Sequence, residues 1–163
     1  MVKGNVEVLK MAADVNPNNL LIQQEDGSFK EGAKIGGAFS FELGRGGALI
    51  DLNKDGALDL VISNRQAKAE IWRNKGVKGN WLRLKLSQPD SNPRGVGSWI
   101  EVKTKGRLQR REITIGGGHA GGQWGWLHFG LDKAKSAQVR FQQPGEKWSS
   151  WMPVSANRSI VIK

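Results

Sequence analysis

The sequence contains no cysteine and no tyrosine, and its only histidines are His119 and His128. Without cysteine the chain has no disulfide scaffold, no thiolate zinc site and no cysteine nucleophile. Two imidazoles are too few for a site built on several histidines, so oxygen atoms are the metal ligands that remain. No apolar run approaches the ~18 to 20 residues of a membrane span, and residues 1–15 lack the apolar core of a signal peptide. We therefore predict a soluble chain with no membrane span and no targeting segment.

The sequence also lacks a catalytic pattern. No spacing pairs a nucleophile with a base among the histidines and carboxylates. His128 lies between Leu127 and Phe129 in a strand-like run, which favours a structural role, and His119 lies in a glycine-rich stretch. We predict that the protein is not an enzyme.

Acidic residues are scarce in one half of the chain only. The net charge is +10. Residues 1–80 hold 11 basic and 10 acidic side chains, whereas residues 81–163 hold 14 and 5. Such an excess favours an anionic partner, but it also simply keeps a small domain soluble.

Helical periodicity is scarce because the 22 glycines interrupt almost every window that could carry it. The best helical segment is the short stretch from Asp132 to Ala137. Short apolar or alternating runs bounded by Gly, Asn, Asp and Pro recur instead, and Trp81–Leu86 alternates as a half-buried strand does. We predict an all-β fold. The predicted strands are Leu20–Ile22, Ala48–Asp51, Leu58–Ser63, Glu70–Arg73, Trp81–Leu86, Ile100–Lys105, Leu108–Ile115, Ala137–Phe141 and Ser159–Ile162.

One motif points to a metal. Oxygen-bearing side chains stand at alternate positions before Gly56, which permits a sharp bend, and resume after it. Calcium takes six to eight oxygen ligands, and a tight turn can bring these side chains to one point. The sequence therefore predicts a Ca²⁺ site with structural function. Its expected ligands are Asp51, Asn53, Asp55, Ala57 (through its carbonyl) and Asp59.

The calcium loop is not an EF-hand, because its last carboxylate is at the ninth position and strand-like runs flank it. The alternative is a turn capped by its own Asp and Asn side chains without any metal.

Three stretches resemble one unit of the FG-GAP (VCBS) repeat. They are residues 19–29, the run Gly44-Arg45-Gly46-Gly47 and the calcium loop. A second unit would begin at Glu70, about 50 residues after the first, which is typical of propeller-blade repeats.

The second half resembles the ASPIC/UnbV domain, which follows FG-GAP repeats in secreted proteins. Several short motifs match in order over about 80 residues, a length within the ordinary range of a small domain. They are Gly79-Asn80-Trp81-Leu82, Ser91 to Gly97, Arg110-Arg111-Glu112, Leu127 to Leu131 and Ala156-Asn157.

These resemblances imply an exported module without catalytic residues that binds a protein or glycan at a cell surface, in the extracellular space or the periplasm. The expected organisation is an N-terminal extension (1–15), a propeller-blade-like FG-GAP unit with the calcium turn (16–79) and an ASPIC/UnbV-like β domain (80–163). The first unit is expected to pack on, or be linked to, a small β-sandwich or barrel.

Two further surfaces are candidate ligand sites in the second half. Exposed tryptophans beside the loop of residues 116–122 could stack on sugar rings, although Trp81, Trp99, Trp124 and Trp126 could instead fill a small core. The candidate ligand-binding residues are His119, Trp124, Trp126 and Trp148. A basic run could follow an anionic polymer, but it lacks the interleaved aromatics and motifs of a nucleic-acid surface, so we interpret it as a solvated face. Its residues are Lys103, Lys105, Arg107, Arg110 and Arg111.

Overall fold

The structure is a computed structural model that describes residues 17–24, 26–75, 79–89, 91–117, 121–122 and 124–163. These residues are almost entirely β, with one four-residue helical turn, α1 (Ala33–Gly36). The predicted all-β class is confirmed. The described residues divide into two compact units. The first holds the residues up to Ile50, Asp59–Arg73 and Gly121, and the second holds Asp51–Leu58 and the rest from Asn74 onward. No helix among the described residues is long and apolar enough to cross a membrane.

The first unit consists of a short hairpin and a three-stranded antiparallel meander. The hairpin strands are β1 (Leu21–Gln23) and β2 (Phe29–Glu31), and the meander is β3 (Gly44–Ile50), β4 (Asp59–Asn64) and β5 (Glu70–Trp72). Both faces of the meander carry apolar side chains. Val61 pairs with Ile71 on one face, and Leu60 pairs with Leu49 on the other.

Apolar side chains on both faces of this meander remain in contact with solvent. The exposed fraction is 47% for Ile50 and 66% for Ile71 on one face, and 46% for Leu49 on the other. A sheet that buries one face on a core commonly exposes polar side chains on the other. The composition of this sheet is therefore that of a layer apolar on both sides.

The second unit contains two sheets. Its strands are β6 (Asn80–Leu86), β7 (Trp99–Thr104), β8 (Arg107–Glu112), β9 (Leu127–Asp132), β10 (Ser136–Gln142), β11 (Met152–Ser155) and β12 (Arg158–Ile162). One sheet has the order β11-β10-β7-β8 and is antiparallel throughout. The other has the order β12-β6-β9, in which β12 runs parallel to β6.

One hydrophobic core lies between these two sheets, so the second unit is a β-sandwich. Leu82, Leu84 and Leu86 of β6 are fully buried, and Arg83 and Lys85 alternate with them on the outer face. This confirms the half-buried strand that the alternation predicts. The other buried core residues are Ile100, Val102, Ile113, Phe129, Leu131, Ala137, Val139 and Ile162.

The loop before β7 is folded by the residues of the Ser91–Gly97 motif. The Asn92 side chain donates to the carbonyl of Val96 (2.8 Å) and accepts from the Val96 N–H (2.9 Å). Gly95 has φ +65°, and a Cβ there would lie 2.5 Å from Cδ2 of the core residue Leu86. Glycine is required here because the backbone itself packs against the core.

The stretch from Asp132 to Ala137, the best helical segment of the sequence, is not a helix in the structure. Strand β9 ends at Asp132, which has φ +50°, and β10 begins at Ser136. The N–H of Ala134 donates to the carbonyl of Leu131 in the tight turn between them (3.0 Å). The turn is favoured over a helix because Leu131 and Ala137 are both buried in the sandwich core.

Candidate functional site

The predicted calcium loop belongs to the sandwich unit, although its chain neighbours β3 and β4 belong to the first unit. It lies on the outer face of the three-stranded sheet. The residues that receive it are Trp81 and Arg83 of β6 and His128 of β9, which the strand register places on that one face. We call this group, together with Asp51 and Gly56 of the loop, the loop-docking cluster.

Gly56 makes the closest approach of the loop to the sheet. Its φ is +90°, and a Cβ at this position would overlap Nε1 of the Trp81 indole. Any side chain here would have to push the loop off the tryptophan ring. Glycine is therefore needed at position 56 for two reasons: its φ is positive, and a side chain there would overlap Trp81.

Asp51 supplies a buried negative charge to the cluster. Its side chain is fully buried, and Oδ2 accepts from the Gly56 N–H (3.1 Å) and forms an ion pair with Nη1 of Arg83 (3.2 Å). The other oxygen, Oδ1, is buried and has no hydrogen-bond partner among the residues that the structure describes. A buried acceptor without a partner costs roughly 1–3 kcal/mol, so the described part of the protein leaves this carboxylate incompletely satisfied.

His128 holds the loop through a hydrogen bond to the carbonyl of Gly56. Its Nε2 lies 2.9 Å from the Gly56 carbonyl oxygen. A carbonyl can only accept, so Nε2 carries the hydrogen and donates. The ring also stacks on Trp81, with ring centres 6.3 Å apart and an interplanar angle of 17°. Burial lowers the pKa of His128 below its ordinary value of 6.5, although the Gly56 hydrogen bond acts in the opposite direction.

Within the loop, side chains bind one another and the backbone. Asn53 Nδ2 donates to Asp55 Oδ2 (2.6 Å), and the backbone N–H of Asp55 donates to Asn53 Oδ1 (3.2 Å). The N–H of Ala57 donates to Asp55 Oδ1 (2.9 Å). Asp59, the last predicted ligand, begins β4 and is buried. Across the part of the chain that the structure describes, no three His, Asp or Glu side chains are arranged to hold a metal ion.

The outer face of the four-stranded sheet is organised around Glu101. This residue lies on the central strand β7, and the register places Arg140 of β10 and Arg110 of β8 directly opposite it. Glu101 Oε2 is 2.7 Å from Nε of Arg140, and Oε1 is 3.7 Å from Nε of Arg110. The Glu101 side chain is 6% exposed, and its buried negative charge is balanced by the two arginines on the neighbouring strands.

Tryptophan rings alternate with these cations, in an arrangement that we call the tryptophan–cation row. The Arg110 guanidinium lies 4.7 Å from the Trp99 ring centre and 5.0 Å from that of Trp148. Arg140 lies 4.6 Å from Trp148 and 4.4 Å from Trp151. Each contact is a cation–π interaction, which is stronger where water is partly excluded.

The five residues of the predicted basic run do not share one face. Lys103 and Arg110 point outward with Glu101, whereas Arg107 and Arg111 register with Thr104 and Ile100 on the opposite face of the hairpin. Arg111 reaches the Phe129 ring, 5.6 Å from its centre. Lys105 lies in the turn between β7 and β8. The alternation of a strand separates these charges, so they do not form a continuous track.

The predicted tryptophan platform is only partly assembled. Trp124 and Trp126 are 46% and 37% exposed, so they do not fill the core. The segment that carries them is not a strand. Arg94 lies 4.0 Å from the Trp124 ring centre, and Arg83 lies 5.6 Å from that of Trp126. Trp81 and Trp99 lie on outer faces rather than in the core. His119 lies outside the described residues.

The sequence did not predict that Trp81 and Arg83 contact the loop Asp51–Leu58. It also did not predict the roles of Glu101, Arg140 and Trp151 in the tryptophan–cation row. A signal for part of this was present. In Trp99-Ile100-Glu101-Val102-Lys103, a period of two places the charged and aromatic residues on one face. Their partners on other strands depend on the register, which the sequence does not supply.

We expect Gly56→Ala to destabilise the sandwich unit by about 1–3 kcal/mol through overlap with Trp81, in addition to the backbone strain. Gly106→Ala is the matched control, because Gly106 has φ +86° and, apart from its chain neighbours, no heavy atom of the described residues would lie within 4 Å of a Cβ there. Urea unfolding measures both variants. Equal losses in the two variants would show that the contact with Trp81 contributes nothing.

We expect the stability of the protein to fall as the pH drops below about 6.5, because the unfolded chain then protonates His128 while the folded chain resists it. The decline continues down to the lowered pKa of the folded state. His128→Gln keeps an N–H donor for Gly56 and removes the titration, so it should flatten this part of the curve. Thermal unfolding from pH 8 to 5 in the presence of a chelator tests this, and an unchanged curve in the variant would contradict it.

We expect Glu101→Gln to cost about 1–3 kcal/mol, because two guanidinium groups lose a buried negative charge and one of its two acceptor oxygens becomes an NH₂ donor, while the shape of the side chain is kept. Glu112→Gln, at an exposed position of the same hairpin, should change the stability by less than about 0.5 kcal/mol. Urea unfolding midpoints distinguish the two. Similar effects of both substitutions would mean that the row does not depend on Glu101.

Comparison with known proteins finds a family match in the second half of the chain. Residues 88–163 match the family described as ASPIC and UnbV. Cartilage acidic protein 1 of Homo sapiens is 30% identical over 125 residues, which are 74% of this chain and 19% of that protein. The Xenopus tropicalis protein of the same name is 31% identical over 109 residues, 64% of this chain and 17% of its own length.

The chain thus spans about a fifth of the length of the curated human relative that it matches. The match begins after β6, so it covers most of the sandwich and the Ser91–Gly97 loop. The FG-GAP repeat stays a prediction. The C-terminal part of the chain carries the predicted ASPIC/UnbV domain, and the chain is similar in sequence to cartilage acidic protein 1.

Proposed function

We propose that the protein is a non-catalytic, calcium-binding interaction module that acts outside the cytoplasm. The observation that carries the proposal is in the loop Asp51–Leu58, where a buried carboxylate oxygen, Asp51 Oδ1, has no hydrogen-bond partner within the described part of the chain. A cation at this position would remove the cost of the orphaned acceptor. The other oxygen-bearing residues of the loop pattern offer the hard ligands that calcium prefers.

The ligands would be the carboxylates of Asp51 and Asp55, the amide oxygen of Asn53 and the carbonyl of Ala57, with Asp59 as the fifth ligand of the sequence pattern. The donor set fits calcium, because all of these are oxygen ligands and three carry negative charge. Asn53 and Asp55 are engaged with each other, so binding requires that their hydrogen bonds be exchanged for metal contacts. Calcium would supply the charge neutralisation that lets the carboxylates converge.

The similarity to cartilage acidic protein 1 supports the proposed location. That protein is named for cartilage, and the match covers 74% of this chain. We infer that this chain acts outside the cytoplasm, extracellularly or in the periplasm, where calcium is plentiful. Its partner in this proposal is a protein or glycan at a cell surface.

We further propose that residues 16–79 form one FG-GAP-like repeat of a propeller-type array. The support is the β3-β4-β5 meander, whose two faces both carry exposed apolar side chains. In stacked repeat architectures each unit buries its faces on its neighbours. The exposed Ile71 and Leu49 would then pack on adjacent repeats.

Calorimetric titration of calcium into chelator-treated protein tests the metal site. We expect binding of about one equivalent and a raised melting temperature, because a ligand that binds the folded state stabilises it. Asp55→Asn should abolish both effects, since it removes a charged ligand without touching the Asp51–Arg83 pair.

Asp26→Asn is the matched control for this titration. Asp26 caps an exposed Asp-Gly-Ser turn by accepting from the Ser28 N–H (2.9 Å), and it belongs to no calcium pattern. It should leave calcium binding unchanged. If wild-type protein shows no calcium-dependent heat or stabilisation, the loop is a turn capped by its own side chains and the calcium proposal fails.

A further inference from the structure

An open groove of about 540 Å³ lies at one end of the four-stranded sheet, away from the docked loop. It is lined by side chains from the β7–β8 hairpin, the start of β10 and the segment that leads into β11. We call it the Trp151 groove. Its lining includes Lys103, Thr104, Lys105, Ser136, Gln138 and Trp151.

The groove combines an aromatic wall with two cations and no acid. Trp151 is partly buried and held in place, with the Arg140 guanidinium 4.4 Å from its ring centre. Lys103 lies 5.9 Å from the same ring centre. Among the described residues that line the groove, none is acidic. The nearest carboxylate on the outer face of β7, Glu101, is already paired with Arg140 and Arg110.

Three kinds of chemistry therefore meet in one cleft. The indole offers a flat apolar surface that packs on a sugar ring. The ammonium groups of Lys103 and Lys105 offer strong donors to an anion. Ser136, Thr104 and Gln138 offer short hydroxyl and amide groups that hydrogen-bond to hydroxyls. The volume lies within the range of small-ligand sites.

We propose that the Trp151 groove binds an anionic oligosaccharide, one whose sugar rings carry carboxylate or sulfate groups. A ring of the ligand packs on Trp151, its acidic group pairs with the lysines, and its hydroxyls bind the polar side chains. The site is separate from the calcium loop and does not depend on it.

The groove favours a sugar over a nucleic acid for a geometric reason. A nucleic-acid backbone needs cations spaced along a track. The hairpin instead directs Arg107 and Arg111 to the opposite face, and Arg110 is occupied by Glu101 and two tryptophan rings. Two lysines beside one aromatic ring fit a single charged saccharide unit.

The test follows the indole N–H signals of the full chain in ¹H–¹⁵N spectra, with Trp151→Phe used to assign the Trp151 signal. The probes are a heparin-derived hexasaccharide, a hyaluronan hexasaccharide, neutral cellohexaose and a 12-nucleotide single-stranded DNA. We expect at least one anionic hexasaccharide to shift the Trp151 signal and cellohexaose to leave it in place. Titrations are run with calcium and with chelator, so that loss of the calcium site and loss of the groove are seen separately.

A pair of double variants separates the groove from general charge. Lys103→Gln/Lys105→Gln should weaken binding at least about tenfold, because charge-assisted hydrogen bonds are lost. Lys133→Gln/Arg158→Gln removes the same charge at exposed positions outside the groove and should change affinity by less than about threefold. Melting temperatures check that both variants fold.

Several results would overturn the proposal. Equal losses in the two double variants would reduce it to non-specific charge attraction. A shift of other indole signals while the Trp151 signal stays in place would show that the ligand binds elsewhere. If cellohexaose bound as tightly as the anionic hexasaccharides, the groove would not require a negative charge on its ligand. If the DNA bound more tightly than the saccharides and depended on the same lysines, the groove would be a nucleic-acid site. If none of the four probes shifted the Trp151 signal, the proposal would be wrong.

Discussion

Packing of positive charge against tryptophan rings is the interaction on which both outer surfaces of the sandwich depend. Residues 81–163 hold 14 basic and only 5 acidic side chains, so few of the cations can find a carboxylate. Arg110 and Arg140 share Glu101 and lie between Trp99, Trp148 and Trp151 on one sheet. On the other sheet, Arg83 contacts Asp51 and lies near Trp81 and Trp126. The rings shield charge that would otherwise repel across neighbouring strands.

Trp81 and Arg83 of the second surface, together with His128, also hold the loop of the candidate metal site. Its glycine lies against Trp81, its buried aspartate pairs with Arg83, and a carbonyl accepts from His128. These three contacts hold the backbone of the loop against the sheet, while Asp51 Oδ1 is buried without a hydrogen-bond partner among the described residues. In the function proposed above, a cation would complete this carboxylate.

Much of the fold follows from local sequence. Trp81–Leu86 alternates strictly and forms β6, and the runs on either side of Gly106 form the β7–β8 hairpin, because a period of two separates core from solvent within one strand. The Asp132–Ala137 stretch shows the limit of such reasoning. Its helical pattern is too short to outweigh the burial of Leu131 and Ala137, which belong to two different sheets.

The β class, the half-buried strands, the oxygen-rich loop and the similarity of the second half to ASPIC/UnbV can all be read from the sequence, because each depends on residues close together in the chain. Which side chains meet became known from the folded structure. It paired Glu101 with arginines on two other strands, divided the basic run between the faces of one hairpin and laid the loop on Trp81, 25 positions further along the chain than Gly56. These contacts depend on strand register and sheet order, which are set by the burial of the whole core rather than by any local pattern.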